Sequence, residues 1–476
     1  MSLAATLPPL IQGGMGVGVS NWTLANAVAR CGQLGVVSGT VLDTLLVRRL
    51  ALGDPCGSMR RAMARFPLPG VADEVMRRFF RPDGLAPGQA YPLLPMWRHT
   101  VSRFRQQVAM LAAFVEVSLA REGHDGPVGM NLLTKVQLPN LATLYGAMLA
   151  GVDVILMGAG IPRDIPGVLD QLARHERVEL RLDVDGPSTG TPATFSLDPA
   201  EHAPPAAELK RPIFLPIISA NSLATTLARK SNGRVDGFVV EGPTAGGHNA
   251  PPRGALTLDE RGEPIYGERD IVDLAKLAEL GLPFWVAGGA GTPTALAEAR
   301  AQGAHGVQVG TLFAFCNESG VDACLKARVL TALLRDGVRV ATDPRASPTG
   351  YPFKVVHIEG DAAAAELAAR PRECDLGYLR TAYVQPDGRL GYRCPAEPVD
   401  DYIAKGGDVA ETEGRQCLCN GLLATIGHAQ RRDGDRVEPP FITSGSDMAT
   451  LRAILGGRSS YTAADVVAWV TGAGTA

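Results

Sequence analysis

Eight short runs of apolar, β-prone residues recur along this chain, and most are followed by a stretch with helical spacing. They are PLIQGGMG (9–16), GVVSGT (35–40), PVGMNLL (127–133), VDVILMG (152–158), PIFLPIIS (212–219), DGFVVEG (236–242), PFWVAGG (283–289) and GVQVGTLFAF (306–315). Strands covered on both faces read as continuously apolar rather than alternating, and these do. The intervening segments carry helix ends. Asn21 reads as the cap of WTLANAVARC, whose Leu24, Ala27, Val28 and Cys31 share one face, and Gly32 ends it. Thr292 reads as the cap of a later helix with Pro293 in its first turn and Gly303 at its stop. Eight successive βα units predict an α/β fold, a closed (β/α)8 TIM barrel. The rival, an open doubly wound sheet, needs fewer strands.

A barrel of this kind takes about 250 residues, and the chain has 476, so it carries additions. The expected organisation is a barrel over 1–345 and a C-terminal α-rich extension over 346–476, packing on the barrel or on a partner subunit; the latter leaves a homodimer open. An insertion at about 50–105 reads as two short basic helical pieces, either a lid over the barrel mouth or a solvated addition, the second being favoured. The stretch at about 179–197 alternates enough to be a hairpin insertion.

Lysine plus arginine (46) nearly balances aspartate plus glutamate (49). That leaves no broad positive field for nucleic acid or an anionic membrane, and points to a small-molecule substrate. No run approaches the roughly 18 apolar residues of a membrane span, and the N-terminus lacks a signal-peptide pattern, so the expected location is cytoplasmic. The eight cysteines read as reduced thiols. Four of them, Cys374, Cys394, Cys417 and Cys419, fall in the last quarter. Their spacing lacks paired C-x-x-C units, so a zinc site is conceivable but not favoured, and no metal is expected.

Chemistry on such a barrel sits on the loops after the C-terminal ends of the strands. Here those loops are rich in glycine: QGGMGVG, SGT, EGPTAGGH, AGGAGTP and VGT. Glycine lets a backbone approach a flat ligand closely and offers its N–H groups as donors. Gly288, Gly289, Gly291, Gly310 and Thr311 follow strands seven and eight, where phosphate-binding barrels gather amides around an anion.

The segments LIQGGMGVGVSNWTLANAVARCGQLGVVSG, GPVGMNLL, GVDVILMGAGIP, GFVVEGPTAGGH, PFWVAGGAGTPTALAEARAQGAHGVQVGTLFAF and NES resemble the nitronate monooxygenase (2-nitropropane dioxygenase) family. That family also includes flavin-dependent enoyl-acyl carrier protein reductases and NAD(P)H:quinone reductases. The resemblance covers most of residues 9–335 and implies a barrel that binds FMN non-covalently. It places the phosphate at Gly289, Gly310 and Thr311 and the flavin ring near Gly14, Met15, Gly39, Asn131 and Gln308. Gly13, Glu241, Gly246 and Gly247 complete the expected cofactor-lining set.

His248 closes the A-G-G-H motif. The glycines before it, Gly246 and Gly247, are expected to leave room for substrate above the flavin, and His248 is the first side chain able to reach in. An imidazole there suits proton abstraction or the orientation of nitro or carbonyl oxygens; the plainer reading is a histidine bonding a loop carbonyl. Two departures from the family pattern bear on substrate: Thr244 stands where many members have an acid, and NAPPRG follows the histidine. Arg253 is open to pairing with a substrate carboxylate, a cofactor phosphate or a surface acid.

The leading expectation is an FMN-dependent oxidoreductase that oxidises alkyl nitronates with dioxygen to a carbonyl compound and nitrite. The alternatives are an NAD(P)H-dependent FMN reductase of an enoyl thioester or quinone, with acyl carrier protein as a partner in the thioester case, and a non-catalytic flavin-binding subunit of a biosynthetic complex. GGMGVG fits the dinucleotide fingerprint poorly. The loop after the sixth strand has no cysteine, which sets aside nucleotide dehydrogenase barrels.

Overall fold

The computed structural model describes residues 3–186, 192–361, 363–433 and 436–472. Its centre is an eight-stranded, all-parallel sheet. The strands in chain order are Leu10–Gln12, Gly35–Ser38, Val128–Leu133, Val154–Gly158, Ile213–Ile218, Phe238–Glu241, Phe284–Ala287 and Gly306–Val309. Each falls inside one of the eight apolar runs. The first strand pairs with the eighth, in register Leu10↔Val307, and neighbours follow round to the second. An Ile11↔Leu34 bridge, with Gln12 N–H donating to the Leu34 carbonyl at 3.0 Å, closes the cylinder. The fold is therefore a (β/α)8 barrel.

Two hydrophobic clusters divide the barrel. Ile11, Leu34, Val36, Val154, Leu156, Leu215, Val239, Trp285 and Ala287 fill the interior. Ala4 and Leu7 plug its N-terminal end, where Trp285 Nε1 donates to the Pro8 carbonyl at 3.1 Å. The outer cluster lies between strands and helices, and Leu24, Ala25, Val28 and Ala29 of helix Trp22–Arg30 belong to it. Asn21 caps that helix by accepting from Leu24 N–H at 2.9 Å, and Gly32 follows it at φ +72°. The later cap differs from expectation. Helix Ala295–Ala301 starts two residues further on, at Thr294, while the Thr292 carbonyl accepts from Ala295 N–H. Pro293 thus sits in the turn before the helix.

Within 50–105, helices Ser58–Met63 and Val71–Phe79 bury Met59, Ala62, Met63, Val71, Val75 and Phe79 against the long helix Arg103–Ala120. They form a buttress on the barrel's flank, and no residue of 50–105 lines the main cavity. The alternating stretch pairs Val178–Arg181 antiparallel with Thr194–Leu197; its residues 187–191 lie outside the described ones. Beyond the last barrel helix, Ala323–Leu334, the chain also makes two antiparallel strand pairs, Val338–Asp343 with Phe353–Ile358 and Thr381–Val384 with Leu390–Arg393. Thr381–Val384 takes Val184–Asp185 alongside it in parallel, tying the insertion to the tail. Among the described residues no helix is long and apolar enough to cross a membrane.

One buried polar cluster anchors the tail. Asp43, on helix Leu42–Ala51, lies 2.6 Å from Arg105 Nη1 and accepts from Trp97 Nε1 at 3.1 Å and from the Tyr378 hydroxyl. Burial by itself would raise the Asp43 pKa, but the Arg105 charge and these hydrogen bonds outweigh it and hold the carboxyl below its usual range.

Candidate functional site

A cavity of about 220 Å³ opens at the C-terminal ends of the barrel strands. Strand register builds its floor. Ala287 pairs with Glu241 on one side and Gln308 on the other, so a small residue sits between two long polar ones at the same level. Gln308 Oε1 and Asn131 Oδ1 are buried without a hydrogen-bond partner, and both residues line the cavity. Such groups are costly unless a ligand satisfies them. Desolvation raises Glu241, at the mouth of the sixth strand, to about 7.

The first loop is held from below. Gln12, fully buried, accepts from Val36 N–H and donates to Ser20 Oγ, each at 2.8 Å. Ser20 in turn donates to the Gly13 carbonyl and accepts from Met15 N–H, both at 2.8 Å. Gly14 lies against Asn131, whose Nδ2 donates to the Gly14 carbonyl at 2.8 Å; a Cβ at Gly14 would come within 2.2 Å of Asn131 Cβ.

After the seventh strand, Gly288 and Gly289 both adopt positive φ, +89° and +70°. L side chains are strained there, and successive turns of this kind aim N–H groups into a concavity. Gly291, Gly310 and Thr311 share the cavity wall with them. The 306–315 run does not continue as a strand: it ends at Val309, and Thr311–Ala314 is a helical turn.

The structure brings Gly13, Gly14, Met15, Asn131, Glu241, Gly246, Gly247, His248, Gly288, Gly289, Gly291, Gln308, Gly310 and Thr311 around this one cavity. Gly39 is not among them. A Cβ there would meet Leu132 and Met130 at 2.8–3.0 Å, so Gly39 is a packing glycine, and its neighbour Thr40 lines the cavity instead. Gly246 needs a second correction. Its missing side chain makes room for the tail, since a Cβ would lie 2.7 Å from Gly445 N. Gly247, at φ +76°, faces open space. Arg253 borders a separate small cavity with Glu241, Tyr266 and Asp270, and its side chain does not reach the main one.

His248 is held by the tail. Its Nε2 lies 2.7 Å from Ser347 Oγ, and its ring meets Phe353 edge-on at 4.7 Å between centroids. Ser347, fully buried, is fixed by Thr349 at 2.8 Å. Lys354 N–H donates to the Gly247 carbonyl at 2.9 Å, and Gly247 N–H to Thr443 Oγ1 at 3.0 Å. The A-G-G-H loop is therefore clamped between residues 347–354 and 443–446. Desolvation lowers the imidazole to about 4, so it is neutral at neutral pH.

Sequence reasoning missed the tail's contribution. Tyr378, Leu379, Cys419, Thr443, Ser444, Gly445 and Asp447 complete the wall, and Gly445 N–H donates to Thr311 Oγ1 at 3.1 Å. The only visible signal was the glycine- and serine-rich SGSD at 444–447, just before helix Met448–Leu455.

Residues 125–347 match the family model described as nitronate monooxygenase. A nitronate monooxygenase of Paraburkholderia phytofirmans is 29% identical over 39% of this chain and 49% of its own length. A probable nitronate monooxygenase of Bacillus subtilis is 33% identical over 29% of this chain and 37% of its own. The chain thus spans half or less of the length of the curated relatives it matches. Among solved structures, FabK from Thermotoga maritima covers 99% of this chain and 94% of its own at 16% identity and a TM-score of 0.48. Nitroalkane oxidase from Streptomyces ansochromogenes covers 98% and 96% at 17% identity and a TM-score of 0.47. The stretch matched by the nitronate monooxygenase model carries barrel strands three to eight, the clamped loop and both glycine turns.

Proposed function

We propose that this chain is an FMN-dependent oxidoreductase that oxidises alkyl nitronates with dioxygen to a carbonyl compound and nitrite. The observation that carries the reading is that one cavity is lined by a neutral imidazole held by Ser347, by the unpartnered side-chain oxygens of Asn131 and Gln308, and by the glycines after strands seven and eight. The residues fit a flavin mononucleotide. Gly288, Gly289, Gly310 and Thr311 would hold its phosphate, while Asn131 and Gln308 would turn their unpartnered oxygens, or by rotation their amide nitrogens, to the ring. Bound there, FMN would supply the electron chemistry, and the protein would supply orientation and exclusion of water.

His248, neutral above about pH 4, is able to accept a proton from a nitroalkane carbon. Desolvation makes it a weak base in the empty cavity; an anionic nitronate beside it favours the imidazolium and lifts that value. Glu241, raised to about 7 by desolvation, keeps its proton in a substantial fraction of molecules near neutral pH, and in that form it would donate a hydrogen bond rather than repel an anion.

The second reading, NAD(P)H-dependent reduction of an enoyl thioester or quinone, draws on one feature. A polar annex lined by Lys135, Gln137 and Arg380 shares Tyr378 and Leu379 with the main cavity and offers cations for a second phosphate-bearing ligand. Anaerobic mixing of the flavin-loaded protein with a nitronate, NADH or NADPH separates the two. Bleaching by nitronate alone is expected. Bleaching only by a nicotinamide nucleotide would transfer the assignment to the reductase, and a purified protein without flavin would overturn both.

A further inference from the structure

The tail builds a hydrophobic cluster of its own. Ala346, Phe353, Val355, Leu418 and Phe441 form its centre, and Leu379 and Leu422 pack against it. Of these, Phe353, Leu379, Leu418 and Leu422 also line the main cavity, so the cluster is at once a core of the tail and one wall of the candidate active site. Leu379 and Leu422 are only part-buried, which leaves apolar surface that the tail's own packing does not cover. Leu133 and Val136, at and after the end of the third barrel strand, line the cavity as well. Phe353 starts this wall beside the reactive group, since its ring meets the His248 imidazole edge-on.

No positive charge accompanies this surface. Among the described residues no lysine or arginine lines the main cavity, and its carboxyl groups are those of Glu241 and Asp447. Lys135 and Arg380 belong to the annex beyond Tyr378 and Leu379, where Lys135 sits over the Tyr351 ring at 5.5 Å and Arg380 donates to the Gly377 and Trp97 carbonyls. Behind the wall, Leu379 and Leu418 border a small cavity with Cys374, Cys394, Cys417 and Cys419. Burial raises all four thiols, so they are uncharged at neutral pH and behave as small hydrophobes. A second negative charge on a substrate would lose its water here and meet no cation, which is costly. A hydrocarbon chain would instead gain by leaving water.

We infer that Phe353, Leu379, Leu418 and Leu422 seat an uncharged aliphatic chain, so that the site selects alkyl nitronates by the length of their hydrocarbon and rejects those that carry a second acid group. The nitronate head rests on the function proposed above; the seat for the hydrocarbon does not. Phe353 and Leu418 are locked in the tail's core, 2% and 1% exposed, and fix the position of the wall. Leu379 and Leu422, with surface to spare, are the specificity-determining side chains. Discrimination between substrates is a difference in transition-state binding, and each methylene that such a wall takes from water is worth about fourfold in kcat/KM.

Two series of measurements on the purified full-length protein test this, with flavin content read on the same sample. In the first, kcat/KM is measured for the linear nitronates from nitroethane to nitrohexane and for the nitronate of a nitropropionate with a terminal carboxylate. It should rise about fourfold per methylene, and the carboxylated compound should fall at least about tenfold below nitropropane. A flat series, or a preference for the carboxylated nitronate, would overturn the proposal. In the second, the unreactive linear alcohols n-butanol, n-hexanol and n-octanol are titrated calorimetrically. Affinity should rise by a similar factor per methylene, with a negative heat-capacity change. Equal affinities would overturn the seat and put the flavin ring against the wall instead. Leu379→Asn and Leu422→Asn should each cut the factor to about twofold or less in both series; variants with an unchanged factor, whatever their overall rate, would remove these residues from the seat. The wild-type series decide even where a variant fails to fold. A protein that oxidises no nitronate yet binds the alcohols with the expected dependence would sink the reaction and leave the seat standing.

Discussion

At the scale of the residue, His248 gathers the most consequences. Its neutrality comes from desolvation and its orientation from Ser347, so its titration belongs near 4 rather than at the usual 6.5. The acid limb of kcat/KM is expected at about pH 4, since the imidazole must be unprotonated to accept a proton. His248→Ala should keep flavin but lose roughly 10²- to 10⁴-fold in rate on a neutral nitroalkane, and less on a pre-ionised nitronate. Steady-state rates on the two substrate forms check this, and equal turnover by the variant would remove the proton-transfer role. The same shift bears on stability. Between about 4 and 6.5 the unfolded imidazole binds a proton that the folded one does not, so this contribution is full above 6.5 and is lost as pH falls towards 4. Glu241 acts in the opposite sense. Its folded value of about 7 exceeds the unfolded 4.5, so its contribution is full below 4.5 and is lost as pH rises through 7.

Gly310 gives a second residue-level expectation. Its φ of −106° is open to any residue, and an added Cβ meets only the Met15 side chain, Sδ at 3.7 Å and Cγ at 4.0 Å. Gly310→Val should therefore fold normally and fill the phosphate end of the cavity. The purified variant is expected to be colourless, with the thermal transition of the flavin-free wild type. A yellow, fully loaded variant would contradict the placement of the phosphate.

At the scale of the element, the Asp43–Arg105–Tyr378 cluster joins the second barrel helix, the long helix Arg103–Ala120 and the tail. Tyr378 lines the main cavity as well, so this buried anchor also sets part of its wall. Breaking a buried pair by removing one charge typically costs about 3–5 kcal/mol, because the other charge remains without compensation. Asp43→Asn is thus expected to destabilise the chain by about that amount in denaturant titration, with lower flavin occupancy as the tail loosens. A loss below about 1 kcal/mol would show that the pair is dispensable. Because the Asp43 carboxyl is held below its ordinary range, its contribution is present above the unfolded pKa and disappears as pH falls through the folded one.

At the scale of the whole molecule, the tail is the main departure from a plain barrel. It supplies Ser347 and Phe353 against His248, Thr443–Gly445 against the glycine loops, and four cysteines behind the wall. The strands were legible in the sequence because burial on both faces demands unbroken apolar runs, a signal local to each segment. The site glycines were legible because positive φ and close approach restrict residue choice at single positions, as at Gly288 and Gly289. Gly39 and Gly246 mark the limit of that reasoning. A glycine admits either a ligand or another part of the chain, and at these two it admits Leu132 and the 444–445 backbone.

By itself, then, the sequence determined the barrel and which strand-end glycines and histidine come to line one cavity at its rim, since each rests on spacing along one strand or loop. Tertiary structure alone decided what surrounds that histidine, which loops the tail clamps and that four distant thiols share a cavity. These depend on contacts between segments as much as a hundred or more residues apart, and no local periodicity encodes which coil returns to which rim.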